Sequence, residues 1–191
     1  MSFMSFVHDP HTQLARRAFI GQSGLLLSGA AIALMAGRDA LAKGHEAGAS
    51  DARILNTALG AELEAVAAYQ VGAESGLLEK SVLDLAVVFQ GHHKEHADLL
   101  AKTIQTLGGK PVEPKDKYMF PVDTLKTQAD VLAFAAMLEK GAVSAYLGAV
   151  PVFDNRDLSK AAASILGDEA MHWAVLRHAL GQDPVPSAFV A

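Results

Sequence analysis

Six residues of this chain are suited by type and spacing to share one piece of chemistry: Glu62, His93, His96, Glu139, Glu169 and His172. Glutamate oxygens and neutral imidazole nitrogens are ligands that suit iron, manganese or zinc. Their arrangement occurs twice. Gly167-Asp168-Glu169-Ala170-Met171-His172 has an earlier copy seventy-six residues upstream, Gly91-His92-His93-Lys94-Glu95-His96, with the glycine and the final histidine matched. Each copy follows a glutamate-led segment, Glu62-Leu-Glu-Ala-Val-Ala-Ala-Tyr69 and Glu139-Lys-Gly-Ala-Val-Ser-Ala-Tyr146. A glutamate from each of two helices plus a Glu-x-x-His from each of the other two is how a four-helix bundle builds a two-metal carboxylate site. The second copy fits that template; the first carries His93 where the template has glutamate.

Hydrophobic residues stand one turn from these groups: Leu59, Val66, Phe89, Leu100, Ile165 and Leu176. A lone carboxylate among them costs several kcal/mol of desolvation unless protonated or paired, and three together repel one another. Divalent cations answer both costs. A single such residue reads as a satisfied core polar group or a surface residue on an imperfect stripe; six in two matched copies read as a site. His93 with His96, and Glu169 with His172, are three residues apart and share a helix face, so each pair can reach one centre. Tyr69 and Tyr146 lie two turns past Glu62 and Glu139. They read either as core packing or as hydrogen-bond partners of a ligand, close enough to donate an electron. His92, Glu95 and Asp168 fall off the inward stripes, with Asp168 placed to bond a ligand histidine. Glu64, Glu74 and Glu79 read as solvated.

The elements that must position these groups are helices. Half of the residues are hydrophobic, only 6% are aromatic, and alanine and leucine recur, which favours helix over strand. Apolar residues at helical spacing predict a first helix over about Asp51–Glu74, capped by Ser50 and closed by Ser75-Gly76. Its stripe is Leu55, Leu59, Glu62, Val66, Tyr69 and Ala73. A second helix is predicted after Ser81, with Asp84 completing a capping box, ending at Leu107 before Gly108-Gly109. Its stripe is Leu85, Phe89, His93, His96, Leu100, Ile104 and Leu107. A third follows a Thr127 cap and stops at Pro151, with Leu132, Ala135, Glu139, Ala142, Tyr146 and Ala149 inward. A fourth runs over about Asp157–Leu180, with Leu158, Ala162, Ile165, Glu169, His172, Leu176 and Ala179 inward. Between the second and third, Gly108–Lys126 is proline-broken and long enough to cross from one end of a bundle to the other. The expected fold is an all-α four-helix bundle of two hairpins joined by that crossover, over residues 51–180, with an extended tail over 181–191.

Residues 1–42 read as a targeting segment. Arg16-Arg17-Ala18-Phe19-Ile20 resembles a twin-arginine export signal, an apolar run follows, and Ala40-Leu41-Ala42 supplies a cleavage site. The run is shorter than the roughly 20 residues that span a bilayer and is softened by Gly21, Ser23, Gly24, Ser28 and Gly29. Export to the periplasm with cleavage near Ala42 is expected, through the twin-arginine machinery, leaving a polar leader over 43–50. The formal net charge is −5, and the basic residues are outnumbered and scattered, so no nucleic-acid surface is expected. The lack of cysteine excludes disulfides, thiolate sites and iron–sulfur ligation.

Ile54-Leu55-Asn56-Thr57-Ala58-Leu59-Gly60-Ala61-Glu62 and Asp168-Glu169-Ala170-Met171-His172 resemble the ferritin-like superfamily, and within it the exported ferritin-like domain proteins. The resemblance covers about residues 51–180. It implies a di-iron or di-manganese centre, often with oxygen or peroxide chemistry. It aligns Glu62, Glu139, Glu169, His172 and His96 with the family's ligands. His93 stands where the family usually has a bridging glutamate. As a ligand it is expected to serve one metal through a single nitrogen, leaving that metal with fewer anionic ligands than its neighbour.

Three functions follow as expectations. The first is an exported di-metal oxidoreductase, a ferroxidase or peroxide scavenger holding two divalent ions, iron ahead of manganese or zinc. The second is a metal-binding or storage module without turnover. The third is a metal-free structural bundle used in stress protection. Any of these is compatible with a homo-oligomer.

Overall fold

The computed structural model describes residues 47–190; the predicted export segment and the first half of the leader lie outside them. Four long helices account for the described chain: α1 (Ala47–Glu74), α2 (Lys80–Thr106), α3 (Gln128–Ala149) and α4 (Arg156–Ala179). Among the described residues there is no strand. α1 packs along α2 and α3 along α4, and α1 also touches α3 across the two hairpins. The long crossover carries one short 3-10 turn, Val122–Thr124. The all-α bundle of two hairpins is therefore the observed fold.

The helix ends show which local signals prevailed. Thr127 caps α3 as expected: its side chain accepts from the Asp130 amide while Asp130 accepts from the Thr127 amide. Gly76, Gly108 and Gly181 take positive φ just past α1, α2 and α4, the conformation a helix C-terminus needs and glycine adopts without strain. Ser50, by contrast, is no cap. α1 begins earlier, at Ala47, and Ser50 and Asp51 are buried within it. The cause is tertiary: Asp51 accepts from the backbone amides of Asp154 at 3.0 Å and Asn155 at 3.1 Å, tying the start of α1 to the turn between α3 and α4. α2 starts at Lys80, after Glu79, with no side-chain cap. Asp84 pairs with Lys80 at 2.7 Å instead of closing a capping box. α4 is capped by Asn155, whose side chain accepts from the Asp157 amide at 2.8 Å.

Inward stripes follow the predicted phase. Leu55, Leu59, Glu62 and Tyr69 on α1, Phe89, His93, Leu100 and Ile104 on α2, and Leu132, Glu139, Tyr146 and Ala149 on α3 are buried. On α4 the run from Leu158 to Leu176 is buried, but Ala179 is exposed at the helix end. The apolar core divides in two. One cluster gathers around Leu55, Leu59, Leu100, Ile104, Tyr146, Phe153 and Ile165, the other around Tyr69, Phe89, Leu132 and Leu176. The polar residues sit between these clusters. α3 with its short 3-10 extension (Val150–Val152) is long and apolar enough to cross a membrane by length and composition alone; buried Glu139 at its middle and its place in the bundle make it a core helix.

Candidate metal centre

Each of the four helices delivers ionisable groups to the gap between the two apolar clusters. Glu62, His93, Glu139, Glu169 and His172 are each at most 3% exposed, and His96 is half-buried beside them. The six residues that the sequence singled out thus meet in one place. Their ligand atoms form two overlapping groups, Glu62, His93, His96 and Glu169, and His93, Glu139, Glu169 and His172; within each, the atoms lie within 4.8 Å of one another. His93 and Glu169 belong to both.

His93 stands between the two halves of the site. Its ring lies between the carboxylates of α1 and α3, with Nδ1 2.8 Å from Glu62 Oε2 and Nε2 3.2 Å from Glu139 Oε1. Nδ1 is also 3.6 Å from Glu169 Oε1. The two nitrogens of an imidazole point in opposite directions, so His93 faces both halves of the site.

Tyr69 and Tyr146 are hydrogen-bond donors here, in a crossed pattern. The Tyr146 hydroxyl, on α3, donates to Glu62 Oε1 on α1 at 2.5 Å. The Tyr69 hydroxyl, on α1, donates to Glu139 Oε1 on α3. Burial first, and then the neighbouring carboxylate, push both phenols well above their ordinary pKa, so each keeps its proton for the bond.

Charge in this buried pocket is governed by burial and by the ionisable neighbours. Burial opposes the ionisation of Glu62 and Glu139, but the His93 and His96 imidazoles beside Glu62, and those of His172 and His93 beside Glu139, hold both carboxyls below the usual range. Burial likewise opposes charge on His93, yet Glu139 and Glu62 push it up to about 11. Glu169 goes the other way: burial, then the Glu139 carboxylate, raise it well above its ordinary value. A positive imidazolium at His93 thus lies between the carboxyls of Glu62 and Glu139.

Metal fits this donor set better than protons do. Five buried atoms in the cluster have no hydrogen-bond partner: His96 Nδ1, Glu139 Oε2, both oxygens of Glu169, and His172 Nδ1. His96 Nδ1 is 3.1 Å from Glu169 Oε1 without hydrogen-bond alignment. Buried polar atoms left unmatched cost about 1–3 kcal/mol each, and five aimed at one centre are what coordination would satisfy. Carboxylate oxygens and imidazoles without thiolates suit iron, manganese or zinc.

The surroundings fix the rings and leave a cavity beside them. Phe89 stacks on His172 with ring centroids 4.0 Å apart. Between α1 and α3, the small residues Ala61, Ala65, Gly141, Ala142 and Ala145 leave a cavity of about 50 Å³ that reaches Glu62, His93 and Glu139. Glu64, expected to be solvated, is half-buried at this cavity, and Glu64 Oε2 is buried without a partner. An apolar cavity of about 30 Å³ lies farther along, against Tyr69 and Phe89.

Two residues read from sequence as flanking adjoin the cluster on its outer side. His92 Nδ1 is 3.1 Å from Asp168 Oδ2 and 2.9 Å from His172 Nε2. Helix phase alone puts both off the inward stripe; the duplicated motif, which sets His92 opposite Asp168 in the two copies, was the signal that they could meet.

A bundle of two helical hairpins with a long crossover, presenting carboxylates and imidazoles from all four helices at mid-height, belongs to the ferritin-like class of metal-binding bundles. The ferritin-like domain family matches residues 50–182, and the chain belongs to it. Its fold is similar to the crystal structure of a conserved hypothetical protein, rv2844, from Mycobacterium tuberculosis, at 21% identity and a TM-score of 0.64, covering 74% of this chain and 99% of the other. No curated protein matches the chain.

Proposed function

We propose that the protein is a di-metal oxidoreductase, a ferroxidase or peroxide scavenger, that holds two divalent ions, iron in the first place, between Glu62, His93, His96, Glu139, Glu169 and His172. The observation that carries this reading is the pair of overlapping four-residue groups sharing His93 and Glu169, in which five buried ligand atoms lack any partner. Bound iron would supply electrons to oxygen or peroxide by cycling between Fe(II) and Fe(III). The chain's own residues do the rest. Tyr146 and Tyr69 each hold one oxygen of a glutamate; the other is shared with His93 in Glu62 and is without a hydrogen-bond partner in Glu139. The tyrosines are also oxidisable side chains bonded to the ligand glutamates, placed to return an electron to an oxidised centre. The cavity between α1 and α3 has room for a molecule the size of water or dioxygen beside Glu62, His93 and Glu139.

Anaerobic addition of Fe(II) to the metal-free protein, followed by oxygen, tests this. Oxygen uptake in proportion to protein, with a transient ferric absorption, is the expected result. Tight binding with no uptake beyond the protein-free rate instead supports a module that stores or delivers metal. His93 gives that second reading its footing, since an imidazole in place of a glutamate leaves the site one negative charge poorer. We also propose that the protein works in the periplasm, exported by the twin-arginine route on the strength of Arg16-Arg17 and the apolar run behind them.

A further inference from the structure

We propose that His92 and Asp168, with the outward nitrogens of His172 and His96, form an outer divalent-metal site that adjoins the buried centre and loads it. This rests on the reading of the buried cluster as a metal centre. Asp168 Oδ2 is the focus: His92 Nδ1 is 3.1 Å away, His172 Nε2 3.3 Å and His96 Nε2 3.4 Å. His92 Nδ1 and His172 Nε2 are 2.9 Å apart. Nitrogen and oxygen ligands about 2.0–2.2 Å from one ion, at tetrahedral or octahedral angles, lie roughly 2.9–3.5 Å from one another. The separations observed among His92, Asp168 and His172 fall in that range, and one carboxylate with neutral imidazoles is a donor set for a divalent ion.

Position makes this a loading site. The side chains of His92 and Asp168 are 40% and 22% exposed, while those of His96 and His172 are 13% and 2% exposed. His96 and His172 each show one nitrogen to either side. His96 Nδ1 faces Glu169 at 3.1 Å while its Nε2 faces Asp168. His172 Nδ1 faces Glu139 at 3.5 Å while its Nε2 faces Asp168 and His92. These two rings are thus the wall between solvent and the buried carboxylates. An ion held by Asp168 and His92 already touches the residues that would take it inward.

The test is a Co(II) titration of the metal-free protein by equilibrium dialysis, with the filling rate followed by stopped-flow absorption. Wild type is expected to hold a third, weaker ion beyond the buried pair, kept by Asp168 and His92 alone once His96 and His172 bind the buried ions through Nδ1 and carry their proton on Nε2. His92→Ala is expected to keep the pair, lose the third ion and fill the pair at least tenfold more slowly. His92 is half-exposed, so its removal leaves the fold intact. His92→Asn, which keeps a hydrogen-bonding amide there, is expected to lose the third ion as well, whereas His92→Asp regains it. A His92→Ala protein that equals wild type in ion count overturns the proposal. If wild type binds two ions and His92→Ala the same two, only the outer site fails; if wild type binds none, the buried centre fails with it.

Discussion

The Tyr146 hydroxyl is 2.5 Å from Glu62 Oε1, on the opposite hairpin from the glutamate that precedes it by seven residues. Tyr69 mirrors it by donating to Glu139. The repeat is therefore crossed: each copy's tyrosine serves the other copy's carboxylate, and the two hairpins are joined at their centre by two buried hydrogen bonds. Tyr69→Phe and Tyr146→Phe are each expected to destabilise the metal-free protein by about 1–3 kcal/mol: Tyr146→Phe strands Glu62 Oε1, and Tyr69→Phe leaves Glu139 Oε1 to His93 alone. Denaturant titration measures this. The loss should shrink when metal is bound, since an ion then anchors the same carboxylate.

His93 is expected to matter to both halves of the site. His93→Leu removes a group shared by both four-residue clusters, together with the positive charge that offsets Glu62 and Glu139. Breaking a buried ion pair from one side costs about 3–5 kcal/mol, so the metal-free variant should melt well below wild type, and neither ion should bind at wild-type affinity. His93→Glu places a carboxylate at the shared position; it should bind metal more tightly than wild type and be less stable without it. Melting curves with and without Zn(II) test both variants, and full affinity for two ions in His93→Leu would contradict the shared role.

The four helices and their inward faces were legible in the sequence because buried positions recur every three to four residues, as from Leu158 through Glu169 and His172 to Leu176. The capping box at Thr127 was legible because it is local. Ser50 misled because Asp51 is claimed by amides a hundred residues away, which no local signal reports. Asp84 misled because Lys80 competes for it. The Tyr146–Glu62 and Tyr69–Glu139 bonds were open possibilities only, since their partners depend on how one hairpin lies against the other. His92 and Asp168 were set aside on helix phase, which places a side chain relative to its own axis but does not give the spacing between α2 and α4.

At the start of α3, Asp130 Oδ2 accepts from the Thr127 hydroxyl and amide, both at 2.8 Å, and from the Lys126 amide at 3.0 Å. The Thr127 side chain first, then the Lys126 and Thr127 amides, hold this carboxyl below its ordinary value of 3.8. A depressed carboxyl stabilises the fold above the unfolded value and loses that effect as pH falls through the folded one. The melting temperature of wild type should therefore exceed that of Asp130→Ala by a constant margin near neutral pH. The margin should narrow once the pH drops below about 4. A margin independent of pH would assign the cap to the threonine alone.

Export is expected to require both arginines of the N-terminal pair. Arg16→Lys combined with Arg17→Lys should leave the precursor in the cytoplasm, where it can still fold and take up metal, and cell fractionation reads the result directly. Arrival of the double variant in the periplasm would remove the twin-arginine assignment without touching the metal centre.

The central claim is that the buried carboxylates and imidazoles hold metal. Elemental analysis after anaerobic dialysis against Fe(II), Mn(II) or Zn(II) tests it most directly, with Glu169→Gln beside wild type because Glu169 belongs to both clusters. Two tightly held ions per chain are predicted for wild type, apart from the weaker outer one, and at most one for Glu169→Gln. Saturation at 100 times the dissociation constant should add about 2.7 kcal/mol of stability per site. Wild-type protein that retains none of the three metals, or a Glu169→Gln protein that retains the full pair, would contradict the account.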